Sequence, residues 1–189
     1  MSLEDIVKKG EQYAFSGNDM KDLTENKYSI YKYQDLEKIN SIDQLLGKNG
    51  GFILLFQNTE FSGHWVCVFK IDDKTLEFYD SYGLKVDEEL LFTEFNRRRH
   101  QGKVVPHLTH LLDNSRYNVI SNDYDFQGKE DITQTQTCGR WVGVRLRLLR
   151  IPLKEFQDLF KKNKIMTGSS GRNFYITLLT SHLWDIENL

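Results

Sequence analysis

The 189-residue chain carries 25 Lys and Arg against 27 Asp and Glu, a formal charge of −2 (25 − 27), and 39% of its residues are hydrophobic. No window approaches the ~20 uninterrupted apolar residues of a membrane span, and the near-neutral balance lacks the basic excess of a dedicated nucleic-acid binder. Two cysteines are too few for a disulfide scaffold, which points to a reducing compartment and leaves each thiol to be explained separately. The opening MSLEDIVKKGEQ lacks the basic start and apolar stretch of a secretory leader. A chain of this length buries about 70% of the surface its unfolded form exposes. That supports one core, so a single domain over residues 1–189 is expected.

The first sixty residues read as a helical start followed by a strand. Asp19 to Leu23 and Tyr33 to Leu46 carry apolar residues at helical spacing, and Gly47, Asn49, Gly50 and Gly51 end the pattern. Phe52 to Phe56 is a continuous apolar run between turn signals, as expected of a strand covered on both faces.

Gly63 to Gly83 reads as a β-hairpin. Two apolar runs, Trp65 to Ile71 and Leu76 to Tyr79, flank the turn-forming Asp72-Asp73-Lys74-Thr75. With Asp72-Asp73-Lys74 as the loop, Val68 faces Phe78, Val66 faces Asp80, and His64 lies diagonally beside Asp80 on one face. A one-residue slip puts His64 and Asp80 on opposite faces, so the register decides whether they can work together.

Further along, Asp87 to Gly102 is predicted as a surface helix with Leu90, Leu91 and Phe95 on one side and Arg97-Arg98-Arg99 near its C-terminal end. Tyr117 to Phe126 suits a strand. The segment after Thr137 is helical, with Trp141, Val144 and Leu148 on one stripe and Arg140, Arg145, Arg147 and Arg150 interrupting it. Ile151-Pro152 breaks that helix, and Pro152 opens the next in its first turn, Leu153 to Asn163, with Phe156, Leu159 and Phe160 inward. Gly168-Ser-Ser-Gly171 reads as a loop, and Asn173 as the cap of a last helix ending at Trp184.

Cys138 falls in the first turn of the helix that Thr137 would cap. There the positive end of the helix dipole favours a thiolate, so Cys138 is either a nucleophile or a small buried hydrophobe. A cysteine nucleophile needs a base, and the base needs an orienter. His64 and Asp80 supply that pair in the register above; taken singly, His64 would be a satisfied strand histidine and Asp80 a turn-forming residue.

Gly63-His64-Trp65-Val66, then Phe78-Tyr79-Asp80-Ser81, then Thr137-Cys138-Gly139-Arg140-Trp141 resemble the motifs of the adenain-like (clan CE) cysteine proteases. That group includes the adenovirus maturation protease and the SUMO and ubiquitin-like-protein proteases. The likeness runs from about Asp19 to Trp184 and is nearest to the proteases of virophages, polinton-type elements and large DNA viruses. It implies an α/β (α+β) fold, a central mixed β-sheet flanked by helices with the catalytic cysteine at a helix N-terminus. It also implies Cys138 as nucleophile, His64 as general base and then acid, and Asp80 as orienter, with Trp65 and Gly139 beside the site. A glutamine upstream of the cysteine donates to the oxyanion together with the Cys138 amide. Of three glutamines, Gln127 is favoured because it ends the strand-like run, Gln134 is second, and Gln136 is taken as solvent-facing.

The implied activity is a cysteine endopeptidase that processes viral capsid proteins during virion maturation. It would act in the virion and the host cytoplasm, as a monomer with no cofactor, metal or membrane contact. Two alternatives remain: an isopeptidase acting on ubiquitin or SUMO-type modifiers, and a non-catalytic capsid-associated protein. Other candidates are weaker. His64 and Cys67 have H-x-x-C spacing, but on a strand they point to opposite faces, which argues against zinc. His107 and His110 lack a matching carboxylate motif. Arg97-Arg98-Arg99 offers a weak nucleic-acid contact, although the −2 balance favours a solvated helix face.

Overall fold

The computed structural model describes residues 2–57, 63–91, 105–128, 135–162 and 168–184. In chain order its elements are α1 (Leu3–Gln12), α2 (Gly17–Leu23), β1 (Ser29–Lys32), a 3-10 helix (Tyr33–Lys38), α3 (Ile42–Leu46), β2 (Gly51–Gln57), β3 (Gly63–Lys70) and β4 (Thr75–Asp80). A second 3-10 helix (Glu88–Leu91), α4 (His107–Asp113), β5 (Asn118–Ser121), α5 (Cys138–Arg147), α6 (Leu153–Lys161) and α7 (Gly168–Trp184) follow. This is a mixed α/β fold with a five-stranded mixed sheet flanked by helices. The chain divides into a sheet unit, Tyr28–Asp80 with Leu84–Asn122, and a helical unit, Met1–Lys27, Ser81–Gly83 and Asp123–Leu189. No helix among the described residues is long and apolar enough to cross a membrane.

In the sheet unit the strands lie in the order β1-β2-β3-β4-β5. The two outer pairings are parallel and the two inner ones antiparallel. The expected strand Phe52 to Phe56 lies within β2, where Phe52, Ile53, Leu54 and Phe56 are all buried, so both of its faces are covered. Leu36, Ile42, Leu45, Leu46, Leu108 and Leu112 cover the sheet face that carries Phe52, Leu54, Val66 and Phe78. The helix expected across Tyr33–Leu46 is split. Ile39 is extended, and Ser41 starts α3 afresh by accepting the Asp43 N–H at 3.3 Å. A serine competes for backbone donors in this way and favours a new helix start over a continuous one. The strand expected over Tyr117–Phe126 is reduced to β5, an exposed edge strand. Of the predicted Asp87–Gly102 helix only the Glu88–Leu91 3-10 turn is seen, and it begins after Asp87, whose φ of 61° is left-handed. The remainder, with Arg97, Arg98 and Arg99, lies outside the described residues.

In the helical unit α5 is buried from Cys138 to Leu146. Arg140 and Arg145 go inward, while Arg147 is exposed. The Arg140 guanidinium donates to Thr180 Oγ1 at 2.6 Å and to the Gly10 carbonyl at 3.2 Å, and lies 4.4 Å from the Phe15 ring centroid. Arg145 donates to the Leu148 carbonyl at 2.8 Å and sits over the Phe156 ring. Carbonyl oxygens, hydroxyls and ring faces thus replace water around both cations. Trp141 packs against Phe126 and Phe160, with ring centroids 5.0 and 4.9 Å away.

Pro152 is the N-cap of α6 rather than part of its first turn, and Leu159, expected inside, is 51% exposed. The buried arc runs through Phe156, Gln157 and Phe160, leaving Leu159 to one side. Gly168-Ser-Ser-Gly171, expected as a loop, is the first turn of α7, so Asn173 lies inside the helix and does not cap it. Gly143 lets α2 approach α5 closely. A methyl group there would lie 2.1 Å from Leu23 Cδ2, and Leu23 is itself buried. Gly143→Ala is therefore expected to lower stability by about 1–3 kcal/mol, read as a lower urea midpoint; an unchanged midpoint would show that α2 moves aside without cost.

Candidate active site

The hairpin sets the geometry of the candidates in the sheet unit. Val66 pairs with Asp80 and Val68 with Phe78, as the loop Asp72-Asp73-Lys74 requires, and the Ile71 N–H donates to the Thr75 carbonyl at 2.9 Å across its base. Asp72 Oδ1 accepts the Lys74 N–H at 2.7 Å, and that bond holds the Asp72 carboxyl below its ordinary range. The resulting parity places His64 and Asp80 on one face. His64 Nε2 lies 3.1 Å from Asp80 Oδ2, with the two residues only 4% and 1% exposed. A buried carboxylate bonded to an imidazole fixes the ring's orientation.

Two neighbours hold this pair, and neither was anticipated from the sequence. Asn122, just past β5, brackets the Asp80 backbone: its Oδ1 accepts the Asp80 N–H at 3.0 Å and its Nδ2 donates to the Asp80 carbonyl at 2.6 Å. Glu89, on the 3-10 turn, is buried, and one of its carboxylate oxygens lies within 4.8 Å of donor atoms of both His64 and Asp80. One imidazole and two carboxylates make a set that accepts a proton or a small cation. At Gly63, beside the histidine, an added Cβ would lie 2.5 Å from the Phe56 carbonyl oxygen, so β2 and β3 tolerate only glycine there.

The helical unit carries the other candidates. Cys138 is the first residue of α5 and 6% exposed. Thr137 occupies the N-cap position but does not cap. Its hydroxyl donates instead to Asn173 Oδ1 at 2.8 Å, so the Thr137 side chain does not take up the first-turn amides near the Cys138 thiol. Gln127 is 1% exposed. Its Oε1 accepts from Ser81 Oγ at 2.9 Å, and its Nε2 donates at 3.3 Å to the carbonyl of Thr135, three residues before Cys138. The Ser81 carbonyl also accepts the backbone N–H groups of Phe126 and Gln127, at 2.9 and 3.1 Å.

Gln136 is half-buried rather than solvent-facing, with its N–H on the Glu11 carbonyl. Gln134 lies outside the described residues. Gly139 is buried in α5. Trp65 is buried on β3 opposite Leu55, on the other sheet face from its neighbour His64. Cys67 is also on that other face, between Ile53 and Tyr79 and outside any disulfide, so the H-x-x-C pair does not converge. On α4, His107 is half-buried and lies near Tyr33, whereas His110 is exposed.

The chain is 34% identical over 147 residues to uncharacterized protein V9 of Sputnik virophage, a match covering 78% of this chain and 83% of that one. The chain belongs to the family of virophage protein V9. No protein-family model matches it. Among solved structures, ChlaDub1 from Chlamydia trachomatis aligns over 96% of this chain and 77% of that one, with TM-score 0.41 and 14% identity. The kinship to V9 is to a virophage protein, and virophages are among the genomes to which the motifs around His64, Asp80 and Cys138 pointed.

In this V9 relative, Asn122→Leu leaves the buried N–H and carbonyl of Asp80 without their partners. Each orphaned group costs about 1–3 kcal/mol, so the variant is expected to lose at least about 2 kcal/mol of stability by urea unfolding. A loss below ~0.5 kcal/mol, the range of an ordinary surface substitution, would remove Asn122 from the support of the site.

Proposed function

We propose that this chain is a cysteine endopeptidase that cleaves viral capsid proteins during particle maturation. The observation that carries this reading is the buried His64–Asp80 hydrogen bond, formed through Nε2, and the proton transfer is assigned to Nδ1. Cys138 Sγ gives its proton to Nδ1 and attacks the scissile carbonyl. A C–S bond forms, and the oxyanion is met by the Cys138 amide and by the Gln127 N–H not given to Thr135. His64 then returns the proton to the leaving amine, the C–N bond breaks, and a water deprotonated by His64 hydrolyses the thioester. Two features support these roles: the position of Cys138 at a helix N-terminus, and the fixed orientation of the Gln127 amide. Kinship to a virophage protein supports the choice of a capsid substrate and the virion or infected-cell cytoplasm as its place of action.

Co-expression with the capsid protein of the same genome tests the proposal. Wild type is expected to produce discrete fragments, and Cys138→Ala and His64→Ala to leave the protein intact. Cleavage by Cys138→Ala would overturn the nucleophile assignment. Covalent capture by ubiquitin or SUMO vinyl sulfone would replace the capsid with a modifier conjugate as the substrate.

A further inference from the structure

We propose that Asn173, which no motif marks, is the positioning residue that holds the oxyanion donor Gln127 in register with the Cys138 helix. This inference rests on the cysteine-peptidase reading above and extends it to how the cradle is assembled. Asn173 is fully buried in α7 and uses its amide in both senses. Oδ1 accepts from Thr137 Oγ1 at 2.8 Å and from Trp141 Nε1 at 3.2 Å, while Nδ2 donates to the Gln127 carbonyl at 2.7 Å. An indole N–H only donates and a carbonyl only accepts, so the orientation of the amide is determined by its partners.

Those partners are the residue before Cys138, a residue one helical turn after it, and the backbone of the residue proposed to bind the oxyanion. One side chain thus fixes both sides of the cradle. Ser81 independently sets the direction of the Gln127 side chain by donating to Oε1. Ser81 aims the Gln127 amide and Asn173 sets where the residue sits. Asparagine is a poor interior helix residue and its burial is costly without full hydrogen bonding. Its chemistry is demanded here because no other side chain of this size accepts two bonds on one side and donates on the other. Aspartate keeps the acceptor for Thr137 and Trp141 but turns a lone pair on the Gln127 carbonyl.

Two reactions of the same thiol separate positioning from general support. Acylation by p-nitrophenyl acetate forms the Sγ–C bond, passes the thiol proton to His64, builds an oxyanion, and breaks the ester C–O bond as p-nitrophenolate leaves with the electron pair. Alkylation by iodoacetamide forms Sγ–CH2 and releases iodide with no oxyanion. Gln127→Ala should slow acylation by about 10²-fold, the effect of losing one oxyanion donor. Asn173→Asp should slow it about 10-fold or more while leaving alkylation within about twofold, and should add nothing in the Gln127→Ala background, as expected for residues acting through one another. Thr137→Val, which loses only one bond to Oδ1, is the milder probe under the same criterion should the aspartate variant fail to fold.

Equal losses in acylation and alkylation, or additivity with Gln127→Ala, would overturn the role of Asn173 and leave the oxyanion assignment standing. An unchanged acylation rate in Gln127→Ala would overturn both.

Discussion

The parity of one hairpin governs whether His64 and Asp80 meet. Side chains alternate on a strand, so the number of residues in the β3–β4 loop decides whether His64 and Asp80 share a face. Three loop residues, closed by Asp72 on the Lys74 N–H and by the Ile71–Thr75 bond, bring the imidazole and the carboxylate together at 3.1 Å. Two neighbouring residues support that arrangement. Gly63 admits the Phe56 carbonyl, and Asn122 holds the Asp80 backbone at both its donor and its acceptor. Burial makes the arrangement consequential, since the contact of a carboxylate with an imidazole strengthens as water is removed, and either partner left alone would be expensive to keep inside.

The helical unit solves a different problem with polar groups. α5 begins at Cys138 and is buried along almost its whole length, so it cannot rely on a solvated face to satisfy Arg140 and Arg145. Arg140 and Arg145 end on carbonyls, a hydroxyl and aromatic rings, and Thr137 and Trp141 end on Asn173. A buried network of this kind favours one arrangement, because a shift costs its donors and acceptors their partners. The end of the helix that carries the thiol and the loop that carries Gln127 are both tied into it through Asn173. Rigid placement of this sort is what an oxyanion site needs, since donors that must reorganise during the reaction stabilise its transition state less.

The parts of the fold that were legible in the sequence have strong local periodicity. The hairpin from Gly63, the apolar run of β2 and the helix after Thr137 each combine a clear period with a turn or break signal, and each is present. The candidate residues His64, Asp80 and Cys138 stand out in the sequence because they sit on or at the ends of those elements, whereas Gln127 lies in the loop after β5. What was not legible depends on tertiary partners. Asn122, Asn173, Arg140 and Glu89 are buried, yet in a sequence a buried polar residue has the same letter as an exposed one. Asn173 and the Gly168-Ser-Ser-Gly171 segment were misjudged for that reason: cap-forming and loop-forming residue types were absorbed into α7, where Asn173's bonds override its local preference. The Tyr33–Leu46 stripe showed the reverse. Its apolar spacing was sound and its residues are buried, but Ser41 interrupted the helix.

The central claim is that the His64–Asp80 pair activates Cys138. The most direct measurement is the second-order rate of Cys138 alkylation by iodoacetamide at pH 6, compared between wild type and His64→Ala, with intact-mass analysis confirming that Cys138 alone is modified. General-base assistance from His64 would raise the reactivity of the Cys138 thiol, so wild type is expected to react at least about ten times faster. Equal rates in the two proteins would contradict the claim, whatever the fold around the two residues.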